Sequence, residues 1–463
     1  MKLSDLDFLQ PGATGGHFVQ VLQLLGASRV KAVVLDDDPT GTQTVHGIDV
    51  LADWSVPSLA AALADPGPCF FVLTNSRSMP ASRASAVNRE IAANLLEASA
   101  LAKREFVVVS RSDSTLRGHF AEELAALGEG LRRPVDGTVV IPAFFEGGRY
   151  TVGNVHYVAE GDQLFPAADT EFARDRTFGY TRSDLTEWIE EKTAGAVRAR
   201  DVAAVDLATL RGPSAAEGVR SILLGLPRGA YVVVNAAAYS DLEAFVHGLL
   251  LAEAEGRRYL FRTAASFVRV RSGLVPRPLL AASEFCGTGA SGGLVVAGSY
   301  TGRTTAQLES VLTLPAARGI EVGVDKLADP ASRAREIGRV ADAALAAIRA
   351  GLHAIVYTSR GLVSSLGCAG DLGAGEIVSD ALVEIVRSLP ERPRFLVAKG
   401  GITSSDVATR GLGMRRARVL GQAAPGVPVW ELGIETRFPG MRLVVWPGNV
   451  GGPDALRDLI RRA

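Results

Sequence analysis

The stretch that decides the fold is VKAVVLDDDPTG at residues 30–41, in which an apolar run ends directly in three aspartates and a turn sequence. Two other stretches repeat this arrangement: DSTLRG at residues 113–118 comes soon after the apolar run FVVV, and GGIT at residues 400–403 comes soon after FLVA. Each motif stands where a buried strand is predicted to end. Ligands bind at the carboxyl ends of strands in open parallel sheets, so acids, an arginine and a glycine turn at these ends predict one reaction site. This combination favours a small-molecule kinase.

The composition is that of a globular protein. The chain has 463 residues, of which 47% are hydrophobic, and this is enough for a large core and roughly two or three domains. The formal net charge is -1, from 49 Lys and Arg against 50 Asp and Glu. No overall charge therefore favours binding to nucleic acid or to an anionic membrane surface, and a small-molecule substrate fits better.

The sequence also bears on location and on metal or disulfide chemistry. The first residues lack the basic-then-apolar order of a signal peptide, and no apolar run is long enough to span a bilayer, so we expect a cytoplasmic protein without a membrane partner. Cys69, Cys286 and Cys368 are odd in number and widely separated. They argue against a disulfide framework and give no spacing typical of metal ligands. The sequence leaves the oligomeric state open, a homo-oligomer included.

Short apolar runs alternate with helical patterns along most of the chain. In the first half, strands are predicted at residues 30–35, 70–73, 106–109, 138–141 and 231–234, and a helix at 241–255. In the second half, strands are predicted at 294–297, 320–324, 354–357, 395–398 and 443–445, and helices near 304–314 and 332–350. Short runs rich in Val, Ile and Phe are typical of strands covered on both faces. We predict an α/β fold of two domains with largely parallel sheets and an active site in the cleft between them.

A domain boundary is predicted between residues 270 and 293, where two prolines and the stretch GTGASG at 287–292 interrupt the pattern. We place the domains at residues 1–275 and 276–463. GTGASG matches G-x-G-x-x-G formally, but it precedes a strand instead of following one, so it is poorly placed to seat a pyrophosphate on a helix N-terminus. This weakens the hypothesis of a dehydrogenase. The sequence contains no P-loop motif of the form G-x-x-x-x-G-K-[ST].

Asp37 and Asp38 are the predicted catalytic residues. Phosphoryl transfer needs a positioned hydroxyl, a carboxylate to accept its proton, and donors or a metal ion to spread charge over the moving group. Adjacent acids at a strand end repel one another, and a substrate hydroxyl and Mg²⁺ would relieve that repulsion. The alternative is an Asp-capped turn, because Asp-Pro-Thr-Gly is favourable turn chemistry by itself. The sequence does not decide which aspartate is the base.

The motif at 113–118 supplies candidate substrate-binding residues. Asp113 and Arg117 offer a second acid and a planar fork of donors suited to a carboxylate or phosphate. Ser114 and Thr115 could bond to substrate hydroxyls, or they could cap a helix that starts near Leu116.

Two further arginines are candidates for binding the substrate. Arg77 follows another predicted strand end and could bind a carboxylate, with a plain surface cation as the alternative. Arg149 lies in a turn-rich loop from which it could reach the site. Both are cations that an acidic substrate would require.

The glycine turn formed by Gly400, Gly401, Ile402 and Thr403 is predicted to bind phosphate. Glycine permits a close approach and unusual dihedral angles, so that backbone N–H groups are exposed at the turn. The turn follows an apolar strand and precedes a helix predicted at Ser404, so the N–H groups and the helix dipole would point at an anion. The alternative is a tight strand-to-helix turn without a ligand.

Taken together, the motifs resemble those of the four-carbon acid sugar kinases. In the first half the matching segments are LDDDPTGT at 35–42, DSTLRGH at 113–119, residues 142–153 and TEFARD at 170–175. In the second half they are Gly298-Ser299 with Thr304 and Gln307, GGIT at 400–403, and GNVG at 448–451. The resemblance spans nearly the whole chain with the motifs in the same order.

The resemblance implies an ATP-dependent kinase that holds the acid sugar in its N-terminal domain and ATP mostly in its C-terminal domain, with Mg²⁺ as the usual phosphate partner. The metal ligands stay unassigned. The nucleotide would be bound by Ser299, Thr304, the turn at 400–403, Gly448 and Gly451, although Thr304 could instead cap the following helix.

Two of the chain's departures from the family pattern lie in the predicted nucleotide-binding motifs. Ile402 stands where an acidic residue is expected, and Trp446-Pro447 stands where a lysine-serine pair is common. These departures motivate a second hypothesis, a non-catalytic sensor or effector that binds the acid sugar or nucleotide and retains the fold.

Overall fold

The computed structural model describes residues 16–298, 302–359, 371–448 and 450–463, with only the backbone described at 371–374. Contacts between residues divide the chain into two compact units, one ending at Pro276 and the other beginning at Arg277. In the described ranges, no helix has the length and apolar character needed to cross a membrane.

The first unit is built from strands and helices that mostly alternate. Its strands are β1 (Lys31–Asp36), β2 (Ile48–Leu51), β3 (Cys69–Leu73), β4 (Phe106–Arg111), β5 (Gly137–Ile141), β6 (Arg149–Val152), β7 (Val155–Glu160), β8 (Gln163–Pro166), β9 (Ala203–Val205), β10 (Ala230–Val234) and β11 (Tyr259–Thr263). Its helices are α1 (His17–Ala27), α2 (Val56–Ala64), α3 (Ala81–Ala102), α4 (Phe120–Leu131), α5 (Leu185–Lys192), α6 (Leu207–Arg211), α7 (Ala215–Gly225), α8 (Tyr239–Ala254) and α9 (Ala265–Arg271).

The main sheet of this unit is parallel. Its strands lie in the order β2-β3-β1-β4-β11-β5-β10-β9, and each neighbouring pair is parallel. A parallel sheet needs cover on both faces, and β1, β3 and β5 are buried along their whole lengths. Strands β6, β7 and β8 form a separate antiparallel ribbon.

The strand order creates a crevice at the carboxyl ends of β1 and β4. From β1 the chain continues to β2 and β3 on one side of the sheet, whereas from β4 it continues to β5 on the other side. Connections that leave adjacent strands in opposite directions open a crevice between the strand ends, which is where open α/β sheets bind ligands. Asp37 and Asp113 follow these two strands.

The second unit has the same layered character. Its strands are β12 (Leu294–Ala297), β13 (Ala317–Val322), β14 (His353–Thr358), β15 (Leu396–Lys399), β16 (Arg416–Ala424), β17 (Val427–Leu432) and β18 (Arg442–Trp446). Its helices are α10 (Ala282–Phe285), α11 (Gly302–Val311), α12 (Pro330–Arg349), α13 (Asp371–Ser388), α14 (Gly401–Asp406) and α15 (Ala455–Arg462).

Within this unit the strands lie in the order β13-β14-β12-β15-β18-β17-β16. The pairs from β13 to β18 are parallel, and β17 pairs antiparallel with both β18 and β16. The chain leaves β12 toward β13 and β14, and leaves β15 toward the other edge, so the ends of β12 and β15 form a second switch point. Gly298 and Gly400 follow these strands.

The predicted α/β fold with largely parallel sheets is confirmed. Each predicted strand and helix is present, with ends that differ from the prediction by at most three residues. The glycine stretch at 287–292 does precede β12. The sequence analysis did not identify β2, β9, β11, the ribbon β6–β8, or β16 and β17, because polar residues interrupt the apolar run in most of these strands.

Candidate active site

Asp37 is the central residue of the candidate site. It follows β1, and its side chain is only 3% exposed. Arg77, beyond the end of β3, donates from Nη2 to Oδ1 at 2.5 Å and from Nε to Oδ2 at 3.2 Å. Ser112, directly after β4, donates from Oγ to Oδ2 at 2.6 Å. The two strands that flank β1 therefore both supply a donor to one carboxylate.

The charge of Asp37 is set by two opposing effects. Burial raises the pKa of this carboxyl, but the nearby Arg77 guanidinium, with Arg262 and Arg111 behind it, lowers the pKa by more. The net pKa lies below the usual value. Asp37 is therefore a carboxylate at neutral pH although it is buried, because arginines replace the water that it has lost.

Asp38 divides its two oxygens between a cap and the site. Its Oδ1 accepts from the backbone N–H of Thr40 at 2.9 Å and from the Thr40 hydroxyl at 2.5 Å, and so caps the 3₁₀ turn Pro39–Thr42. Its Oδ2 lies 3.5 Å from Nη1 of Arg77. The Asp-capped turn is thus present, but it involves Asp38 and not Asp37.

Asp36, the last residue of β1, forms an ion pair with Arg111, which lies beside it in the neighbouring strand β4. The distance from Arg111 Nη1 to Asp36 Oδ1 is 3.1 Å. Burial raises the pKa of Asp36 to about 7, and the nearby Arg111 guanidinium only partly offsets this. The carboxyl packs beneath Gly41, where any Cβ would overlap it, so the glycine of the DDPTG motif is required by close packing.

Asp113 and Arg117 form a second ion pair in the loop after β4. Arg117 Nε lies 2.6 Å from Asp113 Oδ2, and the Thr115 hydroxyl also donates to Asp113. Burial raises the pKa of Asp113, but Arg117 and Arg77 together hold it well below its usual range. The pair supplies one fixed negative charge and one guanidinium close to Arg77.

Arg117 and Arg149 share one aromatic ring. The guanidinium carbons of both arginines lie near the ring of Phe172, at 5.1 Å and 5.7 Å from its centroid. Arg117 also lies 3.8 Å from Asp175. A cation beside an aromatic ring is stabilised by the quadrupole of the ring, so Phe172 helps to position both predicted substrate-binding arginines.

The alternative that Ser114 and Thr115 cap a helix near Leu116 is wrong. Helix α4 begins at Phe120, because Leu116 has φ +68° and Gly118 has φ +120°, which are not helical values. The Thr115 hydroxyl bonds to Asp113 instead of to a helix N-terminus.

Two residues that the sequence analysis did not select hold this loop in place. His156 of β7 bonds through Nε2 to the carbonyl of Ser114 at 2.7 Å and through Nδ1 to the Thr151 hydroxyl at 2.9 Å. The hydroxyl of Tyr180 donates to the carbonyl of Thr115 at 2.9 Å. Their roles depend on tertiary contacts, and their positions in the sequence give no signal of them.

His156 should make stability depend on pH. Burial lowers the pKa of this histidine to about 4, from an ordinary value of 6.5. The unfolded chain therefore binds a proton more readily, and stability is fully present above pH 6.5 and is lost as pH falls through about 4. In the wild type, His156 should make the free energy of unfolding rise with pH by up to about 1.4 kcal/mol per pH unit within this window. We expect His156→Gln to remove this contribution.

The measurement is urea unfolding of the wild type and the variant at several pH values from 4 to 8. His46→Gln, at a histidine nearer the surface that bonds to the carbonyl of Val275, is the matched control for the substitution itself. Parallel pH profiles for wild type and His156→Gln would contradict the expectation.

A buried ion pair supports the site from below. Arg262, in β11, donates from Nη1 to Glu123 of α4 at 2.5 Å and to the Ser110 hydroxyl at 3.0 Å. Ser76 donates to the other oxygen of Glu123 at 2.5 Å. This network links the ends of β3, β4 and β11 beneath Asp37. The only sequence signal for Arg262 is a charged residue inside the apolar run YLFRT.

In the second unit, the predicted glycine turn forms the start of a helix. Gly400 has φ +114°, and helix α14 begins at Gly401, earlier than the predicted Ser404. The N–H of Gly400 donates to the carbonyl of Trp446 at 2.8 Å, so the donors left for an anion are those of the first helical turn. The Ile402 side chain in this turn is 58% exposed.

The end of β12 packs tightly on this turn. A Cβ on Gly298 would lie 2.6 Å from Oγ1 of Thr403, so Gly298 is needed for the close approach. Lys399, which the sequence analysis did not select, is fully buried at the end of β15. Its Nζ lies 5.7 Å from the ring centroid of Trp446. A lysine directly before a glycine pair was the available sequence signal.

The loop after β18 is anchored by Gln307 of α11. Its Nε2 lies 3.1 Å from the carbonyls of Val450 and Gly451 and 2.9 Å from that of Gly452. Trp446 is fully buried and donates from Nε1 to the carbonyl of Val450 at 3.2 Å, so it is a core residue and not an exposed stacking surface.

Four other residues were predicted to bind the nucleotide: Gly448, Gly451, Thr304 and Ser299. Gly448 lies in the turn after β18, and Gly451 has φ +84°. Thr304 is fully buried in the first turn of α11; because the helix already begins at Gly302, Thr304 is not its cap. Ser299 lies outside the described residues.

Gln307→Leu should weaken nucleotide binding specifically. The substitution removes both amide hydrogens from three loop carbonyls, so the segment 450–452 would lose its anchor. We expect the dissociation constant for ATP to rise about tenfold, while acid-sugar binding is unchanged. A tenfold rise corresponds to the loss of roughly two hydrogen bonds to carbonyls. Glu309→Leu, on an exposed position of the same helix, is the control. Calorimetric titration that finds equal ATP affinity in all three proteins would contradict this expectation.

Comparison with known proteins matches the two halves of the chain to two different domain families. Residues 32–271 match the family model described as a sugar-binding N-terminal domain, and residues 294–456 match that of a nucleotide-binding C-terminal domain. The fold and these matches define a protein that joins a sugar-binding α/β domain to a nucleotide-binding one. The chain belongs to the four-carbon acid sugar kinase family.

Two relatives have assigned activities. A 3-oxo-tetronate kinase from Cupriavidus necator is 30% identical over 408 residues, which cover 84% of this chain and 86% of that protein. A 3-oxo-isoapionate kinase from Paraburkholderia graminis is 28% identical over 279 residues, which cover 55% of this chain and 56% of that protein. Both relatives are named as kinases.

Solved structures share the fold. A protein from Salmonella typhimurium LT2, described as a putative tRNA synthase, has a TM-score of 0.68 and 18% identity, and the match covers 93% of this chain and 98% of that one. A protein from Haemophilus influenzae has a TM-score of 0.62 and 19% identity, with 93% and 99% covered. At these identities the likeness shows the fold alone.

Proposed function

We propose that this protein is an ATP-dependent kinase that phosphorylates a hydroxyl of a four-carbon acid sugar, a tetronate or an oxo-tetronate. The observation that carries the proposal is the buried Asp37 carboxylate, held by Arg77 and Ser112 at the switch point of a sheet in a sugar-binding domain. Kinase relatives at 28% and 30% identity support the reaction class and point to the substrate class.

In the proposed mechanism, Asp37 orients the attacking hydroxyl and accepts its proton. Its two oxygens are fixed by Arg77 and Ser112, so little reorganisation is needed when the substrate arrives. The arginines beside it keep it ionised at neutral pH, and an ionised carboxylate can accept a proton. One oxygen of Asp38 is engaged in a cap, and its second oxygen assists Asp37 in this role.

The acid sugar's carboxylate would be bound by arginines of the first unit. Arg117 and Arg149 lie against the same ring of Phe172, and Arg77 is 18% exposed, so all three can present N–H groups to a ligand. Arginine suits this task because its planar fork matches a carboxylate. Asp113 fixes Arg117, and Ser114 and Thr115 border the same loop.

On the nucleotide side, the first turn of α14 would bind phosphate through its backbone N–H groups and dipole. Gly400 provides the backbone conformation that starts this turn, and the side chains of Ile402 and Thr403 follow it. The loop carrying Gly448 and Gly451, together with Ser299 and Thr304, completes the proposed nucleotide site.

Mg²⁺ is the expected partner of the ATP phosphates. Among the described residues, no group of three or more His, Cys, Asp or Glu side chains could hold a metal ion. Mg²⁺ in kinases is bound by one or two carboxylates together with phosphate oxygens and water, which does not require such a group. Asp38 Oδ2 is the carboxylate oxygen here that could contribute a ligand. The ion would neutralise charge on the phosphates.

The test is ADP release from ATP and Mg²⁺ with threonate, erythronate and their 3-oxo forms. The neutral alditols threitol and erythritol are matched controls without the carboxylate. We expect turnover with one acid sugar and none with its alditol. No ADP release with any acid sugar, from protein that binds ATP, would contradict the proposal.

The second hypothesis, a non-catalytic binding protein, is favoured by the exposed Ile402 in place of an acid. Tight binding of an acid sugar without ADP release would support it. The same panel therefore separates the two functions.

A further inference from the structure

A small recess lies beneath the loop at 113–118 in the first unit. Its polar lining comes from Ser112, Asp113, Arg117, Trp188, Arg262 and Thr263. The free volume is about 10 Å³, which is room for one water-sized group. The recess is too small for a carboxylate and is lined by polar side chains as well as apolar ones.

Two of the lining residues carry polar atoms that need a partner. The side chains of Trp188 and Thr263 are each 2% exposed. Within the described part of the chain, neither Trp188 Nε1 nor Thr263 Oγ1 has a hydrogen-bond partner. Nearly all buried polar groups in native proteins are hydrogen-bonded, so a polar occupant is expected beside each of these two atoms.

The chemistry of the two atoms narrows that occupant. An indole N–H can only donate, whereas a threonine hydroxyl can donate and accept. A single oxygen that accepts from the indole and bonds to the threonine satisfies both. A methyl group would leave both unsatisfied, and an ammonium group could not accept from the indole.

The recess also shares residues with the proposed substrate site. Asp113 and Arg117 belong to the ion pair of the substrate loop, and Ser112 donates to Asp37. A group in the recess is therefore adjacent to the residues that we assign to acid-sugar binding.

We propose that this recess is a subsite for one hydroxyl group of the acid sugar, with Trp188 Nε1 and Thr263 Oγ1 bonded to its oxygen. The inference rests on the proposed function and deepens it, because it makes the hydroxyl pattern of the substrate a determinant of specificity. A bound water molecule has the same hydrogen-bonding chemistry, and the experiment separates the two sources.

The variants are Thr263→Val, which removes a hydroxyl at nearly constant shape, and Trp188→Phe, which removes the indole N–H. Thr193→Val and Trp54→Phe remove the same groups elsewhere, where they bond to Ile189 and Glu90. For each protein, kcat/KM is measured with the preferred acid sugar and with its deoxy analogues, each lacking one hydroxyl.

We expect the wild type to prefer the full substrate over one particular deoxy analogue by at least about tenfold. In Thr263→Val and Trp188→Phe this preference should fall to about threefold or less, because the full substrate loses affinity and that analogue does not. The two control variants should retain the wild-type preference.

Equal losses for the full substrate and every deoxy analogue, or a lower melting temperature with unchanged preference, would assign the oxygen to a structural water and overturn the subsite. Wild-type turnover decides the proposed function independently of the variants. An inactive wild type would overturn both proposals, whereas an active wild type with unaltered variant preference would overturn the subsite alone.

Discussion

Asp37→Asn is expected to lower kcat by about 10²–10⁴-fold, the range typical of general base catalysis, with KM for ATP little changed. The amide keeps the shape of the side chain but cannot accept the proton of the attacking hydroxyl. It also leaves the guanidinium of Arg77, which donates to both carboxylate oxygens, without its main counter-charge. The measurement is steady-state ADP release with the preferred acid sugar.

Two further variants sharpen this test. Asp162→Asn changes the same charge at an exposed position between β7 and β8, and should behave as the wild type. Asp38→Asn preserves capping, because asparagine is also a good cap, and should cost less than Asp37→Asn. A kcat within about threefold of wild type for Asp37→Asn would remove Asp37 from the mechanism, since a base contributes far more.

Gly118→Ala is expected to abolish turnover and to destabilise the first unit. Gly118 has φ +120°, a conformation that alanine rarely adopts. Its Cβ would lie 2.8 Å from Ser112 Oγ, 2.9 Å from Arg262 Nη2 and 3.0 Å from Asp37 Oδ2. The methyl group would therefore displace the donors that fix the Asp37 carboxylate.

Gly161→Ala is the matched control for this substitution. Gly161 also has a positive φ, +64°, but open space where the Cβ would be, so the variant has backbone strain without a clash. We expect it to keep wild-type turnover and to lose only about 1 kcal/mol of stability. Melting temperatures and kcat of both variants are the measurements. Full activity in Gly118→Ala would show that the site tolerates movement of Ser112 or Arg262.

Hydrophobic patterning was sufficient to predict the fold class. A continuous apolar run such as that of β1 is buried on both faces, and alternation of such runs with helical patterns is local information that the sequence carries. The patterning failed for strands such as β6, β7 and β16, in which partly exposed positions mix polar and apolar residues.

The candidate site was predictable only in part. Asp37, Arg77, Asp113 and Arg117 stand at strand ends, and the order of motifs selected them. Arg262 and Glu123 were missed, because a charged residue within a strand or helix gives no local sign that it is buried and paired. Ser112 was missed because a single serine after a strand gives no local sign of its partner. Their ion pair and hydrogen bonds are seen only in the folded chain.

The sequence by itself determined many of the buried strands, where their polar ends lie and which family the motifs resemble, since periodicity and turn chemistry act over a few residues. Only the tertiary structure decided which side chains are the partners of Asp37. Arg77 and Ser112 are 40 and 75 residues from Asp37 along the chain, and they meet it because β3 and β4 lie on either side of β1. The order and register of strands in a sheet depend on packing of the whole domain, which no short stretch of sequence specifies.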